Sequence, residues 1–225
     1  MKPELSVILP VHNQADHIAS VIEGYLREFK NQPWEIILVP NKSHDNSTRI
    51  CRSIAAKNPN IRVIENKLGG WGLSVRMGLQ TARGRFLCYT NSARTIPSTI
   101  SFLFKQYKKH PGALAKVTRH TRGNWIRSFG SVLYNLECRW LFQINSWDIN
   151  GTPKLFDANL LRRLKLTSKG DLLDLEFLTK CNRLGVPLFE MPIGGFARHG
   201  GKSSTSLKNA VRLYGGALQL WWNFK

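Results

Sequence analysis

Short apolar runs alternate with longer amphipathic stretches through the first hundred residues. Leu5–Leu9, Glu35–Val39, Ile61–Glu65 and Arg85–Thr90 are apolar or β-branched runs of strand length. Between them the pattern predicts helices over Ala15–Lys30, Asp45–Asn58, Gly72–Ala82 and Pro97–His110. In the first helix Ile18, Val21, Ile22, Tyr25 and Phe29 recur on one face, and Pro33 closes its exit loop. Gly69-Gly70 and Gly84 punctuate the next connections. Strand–helix alternation of this kind predicts an α/β fold built on a mainly parallel sheet.

The second half is less regular. Leu114–Val117 reads as a fifth strand, and Ile126, Phe129, Leu133, Leu136, Trp140 and Ile144 mark an amphipathic helix. Asp148 to Phe156 reads as a loop and strand, Leu172–Leu184 as a helix and Pro187–Pro192 as a late strand. A helical tail runs from Leu207 to Lys225.

Composition changes this picture in one respect, which is charge. The 225 residues suit one domain, with 42% hydrophobic and 21% charged residues, but 33 Lys+Arg against 14 Asp+Glu give a net charge of +19. That excess suits phosphorylated substrates or anionic lipid heads. Nucleic acid is not expected as a partner, because no helix-turn-helix, aromatic RNA-binding strand or zinc-finger spacing is present. Cys51, Cys88, Cys138 and Cys181 are widely spaced and read as buried thiols in a reducing compartment. No signal peptide is read at Met1-Lys2-Pro3-Glu4, and no apolar run reaches the ~18 residues of a spanning helix. A cytoplasmic location is therefore expected.

The loops carry the candidate chemistry. In an open parallel sheet, ligands bind beyond the carboxyl ends of the strands. His12, Asn41, Gly70 and Thr90-Asn91-Ser92 all fall there on this strand assignment. Six segments in order resemble the family 2 glycosyltransferases, whose fold is GT-A. These are Pro10-Val11-His12-Asn13-Gln14, then Ser43 and Asp45, then Gly69-Gly70-Trp71-Gly72 through Arg76 and Gly78. Ala82-Arg83-Gly84-Arg85-Phe86 follows, then Asp148 through Gly151 with Leu155-Phe156, then Pro192 with Arg198 and Gly200-Gly201-Lys202-Ser203. The likeness is to the branch that transfers sugars to polyprenyl or dolichyl phosphate. It implies a single GT-A-type domain over 1–225, with a nucleotide-sugar-binding half at 1–110 and an acceptor half at 111–225 that ends in an amphipathic helix.

The same resemblance implies donor contacts from Pro10, His12, Asn13, Asn41, Asp45, Gly70, Arg76, Thr90, Asn91, Ser92 and Ser203. Asp148, Glu176 and Arg198 are the implied catalytic residues. Yet the family's V-D-D-G-S-x-D and D-A-D patterns stand here as Val39-Pro40-Asn41-Lys42-Ser43-His44-Asp45 and Thr90-Asn91-Ser92. Hydroxyls are poor ligands for a hard dication, so no metal ligand is assigned and Mg or Mn is not expected at 90–92. Lys42, Lys67, Arg94 and Arg198 are candidates to neutralise a leaving diphosphate instead. A lipid-phosphate acceptor, already anionic, needs no strong base.

Asp174 is a further surviving acid; solvation on a helix surface is the competing reading for it and for Glu176. Arg119, Arg122, Arg127 and Trp221-Trp222 are expected to dock the chain peripherally on the inner face of an anionic membrane. The alternative is a GT-A domain without catalysis that binds nucleotides or polyanions.

Overall fold

The computed structural model describes residues 2–119, 125–194, 200 and 207–224, without the side chains of 125–128 and 207–210. Two largely apolar runs form its centre, each carrying one polar residue, Ser6 and Glu35, which hydrogen-bond to each other. Leu5–Val11 (β1) and Trp34–Pro40 (β2) are buried along their whole length, as strands covered on both faces must be. They pair in parallel from Leu5↔Trp34 to Val11↔Pro40. Ile61–Val63 (β3) and Phe86–Tyr89 (β4) extend the parallel sheet on either side. Leu114–Arg119 (β5), Lys154–Asp157 (β6) and Leu188–Ile193 (β7) complete seven strands in the order β3-β2-β1-β4-β6-β5-β7. β6 runs antiparallel to both neighbours, while β5 and β7 are parallel. The sequence predicted the loop and strand at β6 without its direction.

Alternate residues of β1 feed two cores. Val7, Leu9 and Val11 face Ile18–Glu28 (α1), Ser47–Lys57 (α2) and Pro97–Tyr107 (α4). Ile8 faces Trp71–Thr81 (α3), Trp125–Phe142 (α5), Leu173–Arg183 (α7) and Leu207–Phe224 (α8). Pro97 opens α4 at a position where its missing N–H costs nothing. Gly78 lets α3 lie directly on β1, since a Cβ there would strike Ile8.

The sequence reading missed one helix, Ala158–Leu164 (α6), which follows β6 without a loop. Asp157 caps it, accepting from Asn159 N–H at 2.8 Å. All four cysteines are free and buried.

Candidate functional site

The first loop leaves β1 through Pro10 and Val11 and is tied to the loop after β2. Asn41 N–H donates to the Val11 carbonyl at 2.7 Å, and His12 Nδ1 lies 2.7 Å from the Asn41 carbonyl oxygen. Asn13 takes positive φ (50°); its N–H donates to Ser43 Oγ at 3.2 Å, and its Oδ1 accepts from His44 N–H at 2.9 Å. Asp45 accepts from Ala15 N–H at 2.9 Å, Ser47 N–H at 3.0 Å and Ser47 Oγ at 2.5 Å. Partial burial pushes its carboxyl up, but these hydrogen bonds outweigh that and hold it below the usual range. Asp45 thus joins the starts of α1 and α2, and His12, Asn13, Lys42, His44 and Asp45 itself are exposed on this rim.

Asn66, which the sequence reading did not single out, orders the third loop. Buried to 1% exposure, it donates to Asn41 Oδ1 at 3.3 Å and Ser74 Oγ at 2.9 Å. Its Oδ1 accepts from the N–H groups of Leu68 and Gly69, both at 3.1 Å. Gly70 follows at φ 106°, a conformation that suits glycine, and a Cβ there would lie 2.5 Å from the Lys169 carbonyl. That close approach lets the Lys169 and Gly170 carbonyls accept from Leu73 and Gly72 N–H and cap α3. Arg76, one turn on, donates to the Thr167 carbonyl at 2.7 Å.

The loop after β4 is closed in on itself. Thr90 and Ser92 are fully buried. Thr90 Oγ1 shares a 2.5 Å hydrogen bond with Thr95 Oγ1, and Ser92 Oγ faces the Pro10 carbonyl at 2.7 Å and Gln14 Oε1 at 2.9 Å. Asn91 Oδ1 accepts from Ala93 N–H at 2.9 Å. The residues at 90–92 therefore do not fit a divalent cation: they hold no carboxylate, and both hydroxyls are turned inward and engaged. Among the described residues, no three His, Cys, Asp or Glu side chains cluster as a metal site.

The acids of the second half are buried and partnered. Asp174, in the first turn of α7, is 4% exposed. It accepts from Lys154 Nζ at 2.5 Å, Tyr89 OH at 2.8 Å and Trp71 Nε1 at 3.1 Å. One carboxylate thus joins α3 beside Gly70, the end of β4 beside Thr90, and the start of β6. Glu176 is 0% exposed and accepts from Thr167 N–H, Ser168 N–H and Lys180 Nζ at 2.8, 2.7 and 2.6 Å. Burial raises its carboxyl, and the contacts from Lys180, Ser168 and Thr167 bring it below its usual range. Surface solvation is excluded for both acids, because the first turn of α7 faces the core and its carboxylates serve as anchors. Asp148, 2% exposed, receives Arg119 Nε at 2.8 Å and Nη2 at 2.9 Å. This corrects the membrane role expected of Arg119, whose guanidinium is held as a bidentate partner. Arg122, Arg198 and Ser203 lie outside the described residues. Gly200, from the same late loop, packs on the Asp16–His17 pair at the start of α1.

Lys116 on β5 stands opposite Lys154 in the ladder and is also fully buried, 2.7 Å from Glu190. Burial, then the charge of Lys154, push its ammonium down to about 8. Between that value and the ordinary 10.5, the unfolded chain holds more protons at this group than the folded one. The Lys116 contribution to stability therefore rises with pH across that window, by at most ~1.4 kcal/mol per pH unit. Urea unfolding at intervals from pH 8 to pH 10 should show this rise in the wild type, and a smaller one in Lys116→Met.

The family model described as "Glycosyl transferase family 2" matches residues 6–163. The chain belongs to family 2 of the glycosyltransferases. Among curated relatives it is similar to Glycosyltransferase GlyG of Streptococcus pneumoniae serotype 4, 30% identical over 112 residues covering 48% of this chain and 36% of that protein. It is also similar to the undecaprenyl-phosphate 4-deoxy-4-formamido-L-arabinose transferase of Aeromonas hydrophila, 24% identical over 136 residues covering 58% of this chain and 42% of the relative. The chain thus spans well under half the length of these two relatives. Among solved structures, glucosyl-3-phosphoglycerate synthase of Mycobacterium tuberculosis superposes with a TM-score of 0.74 at 19% identity, over 96% of this chain and 76% of that one. This confirms the GT-A-type fold.

Asn41, Thr90 and Ser92, which the resemblance sets at the acidic positions of the family pattern, are all hydrogen-bonded within the fold. At the carboxyl edge the structure brings together Pro10, His12, Asn13, Asn41, Gly70, Thr90, Asn91 and Ser92. Asp148 and Glu176 act as braces around it, whereas the Arg76 side chain is drawn away to the Thr167 carbonyl and does not reach these loops.

Proposed function

We propose that this chain transfers a sugar from a nucleotide-sugar donor to a lipid phosphate at an anionic membrane surface, without a cation held at 90–92. The observation that carries this reading is the pairing of an intact family 2 loop scaffold with acid-free loops at 41–43 and 90–92. A sugar-hydroxyl acceptor needs a carboxylate to take its proton, whereas a phosphate monoester arrives already charged. The Aeromonas hydrophila relative, named for its undecaprenyl-phosphate substrate, supports the choice of acceptor. Exposed Lys42 and Lys67 on the loops after β2 and β3 are positioned to meet a diphosphate, a role that fixed cations fill well. The base is best met by Asn41, whose Oδ1 is bonded to Asn66 and whose amide N–H2 is a donor suited to a carbonyl on a base edge.

The lipid side of the reading rests on α5 and α8. Phe129, Val132, Leu133, Leu136 and Trp140 form one exposed apolar stripe on α5, and Val211, Leu218 and Trp222 are exposed on α8. Of the Trp pair, Trp221 packs partly into the core and Trp222 is 72% exposed. No helix among the described residues is long and apolar enough to cross a membrane, so this face suits docking. A second reading, a nucleotide-binding domain without catalysis, is favoured by the full engagement of Asp148, Asp174 and Glu176. A thermal-shift panel of nucleoside diphosphates and their sugars, paired with a transfer assay onto polyprenyl phosphate in vesicles, separates the two. The expected result is a melting shift with one nucleotide family, affinity unchanged within about twofold by EDTA or Mn²⁺, and product on the lipid. Binding without product supports the second reading, and a large Mn²⁺-dependent gain in affinity overturns the metal-free part.

A further inference from the structure

A basic concavity lies at the edge of the sheet opposite the candidate donor loops. This cleft of about 740 Å³ opens where β4 begins, between the C-terminal half of α3 and α6. The 90–92 loop leaves the other end of the same strand, and the other candidate donor loops leave β1, β2 and β3 at that far edge. The cleft is lined by Lys2, Arg76, Arg85, Arg162 and Lys165, with Asp157 as its one carboxylate. That carboxylate does little to neutralise them: one oxygen caps α6 and the other lies 3.8 Å from Arg85. Arg162 donates to the neutral Asn159 side chain, and Arg76 spends a guanidinium N–H on a carbonyl. Among the described residues five cations thus share one anion around a floor that includes Leu79, Leu87, Leu161 and Leu166.

We propose that this cleft binds a small phosphorylated anion carrying at least two negative charges. Paired N–H forks of Arg85 and Arg162 match phosphate oxygens, and the charge excess favours a multiply charged group. A concave space of this size with an apolar floor suits a small organic phosphate. Lys165, at φ 43°, turns the chain from α6 toward Thr167, so the cleft wall leads directly into the segment that caps α3.

The probe is inorganic pyrophosphate, titrated into methyl- and amide-labelled protein at 150 mM chloride without divalent ions and followed by NMR. Saturable shifts at the Leu79 and Leu161 methyls are expected. The Kd read from them should rise at least tenfold in Arg85→Ser/Arg162→Ser and stay within twofold in Lys42→Ser/Lys67→Ser. Both arginines are exposed, so the double variant keeps its core. Shifts confined to residues 12–13, 41–43 and 67–70, shifts that never saturate, or a Kd unmoved by the arginine double variant would each overturn the proposal. The readout does not depend on transfer activity, so it fails or succeeds separately from the reading of the donor site.

Discussion

Asp174→Leu alone should destabilise the fold by about 3–5 kcal/mol, and adding Lys154→Met should recover most of that loss. The single change leaves a fully buried ammonium with the Ile149 carbonyl, at 3.0 Å, as its remaining hydrogen-bond partner among the described residues, and removes the acceptor of Tyr89 and Trp71. An uncompensated charge in the interior costs more than the pair contributes, so removing both charges relieves the penalty. Tyr89 and Trp71 lose their acceptor in either variant. The residual loss in the double variant therefore measures what the carboxylate does for the Gly70 and Thr90 loops. Urea unfolding of both singles and the double closes the cycle. Strict additivity would show that the two charges are not coupled and would overturn the expected recovery.

Leu133→Asp/Trp140→Asp should lower partitioning onto anionic vesicles by at least tenfold while leaving thermal stability nearly unchanged. Both side chains are exposed on α5, at 44% and 75%, so the fold loses little when they become polar. Burying a large apolar side chain is worth roughly 1.5–3 kcal/mol, so two losses exceed the energy of a tenfold change. Each cation near an anionic leaflet adds about 1 kcal/mol, and that part alone should weaken with salt. Co-sedimentation with neutral and anionic vesicles at two salt concentrations reads both terms. Wild type that binds neither vesicle would remove the membrane from the proposed reaction.

Much of the frame was legible because buried parallel strands write themselves as unbroken apolar runs. Leu5–Val11 and Trp34–Pro40 come close to such runs, broken only by Ser6 and Glu35, which hydrogen-bond to each other, and their helices carry clear faces. The antiparallel direction of β6 was not legible, since four residues carry no information about pairing. α6 is only seven residues long, though Asp157 before an apolar-periodic stretch was a usable start signal. The acids defeated a local reading for a different reason. Asp174 meets partners 103 and 85 positions away in sequence, so nothing in its neighbourhood reveals that it is buried or what holds it. Asn66 likewise resembles any turn former until its contacts with Asn41 and Ser74 are seen.

The acid-free loops at 41–43 and 90–92 also bear on how a donor arrives. A rim of carboxylates repels a diphosphate until a cation covers it, which imposes an order of binding. Here Lys42 and Lys67 stand exposed near those loops on a chain of net charge +19. On the proposed reading, that long-range field draws an anionic donor in without a prior partner, and capture is expected as a single collision step. Its signature is kinetic: the association rate constant falls as ionic strength rises, while the dissociation rate constant, set by short contacts with the donor loops, changes far less.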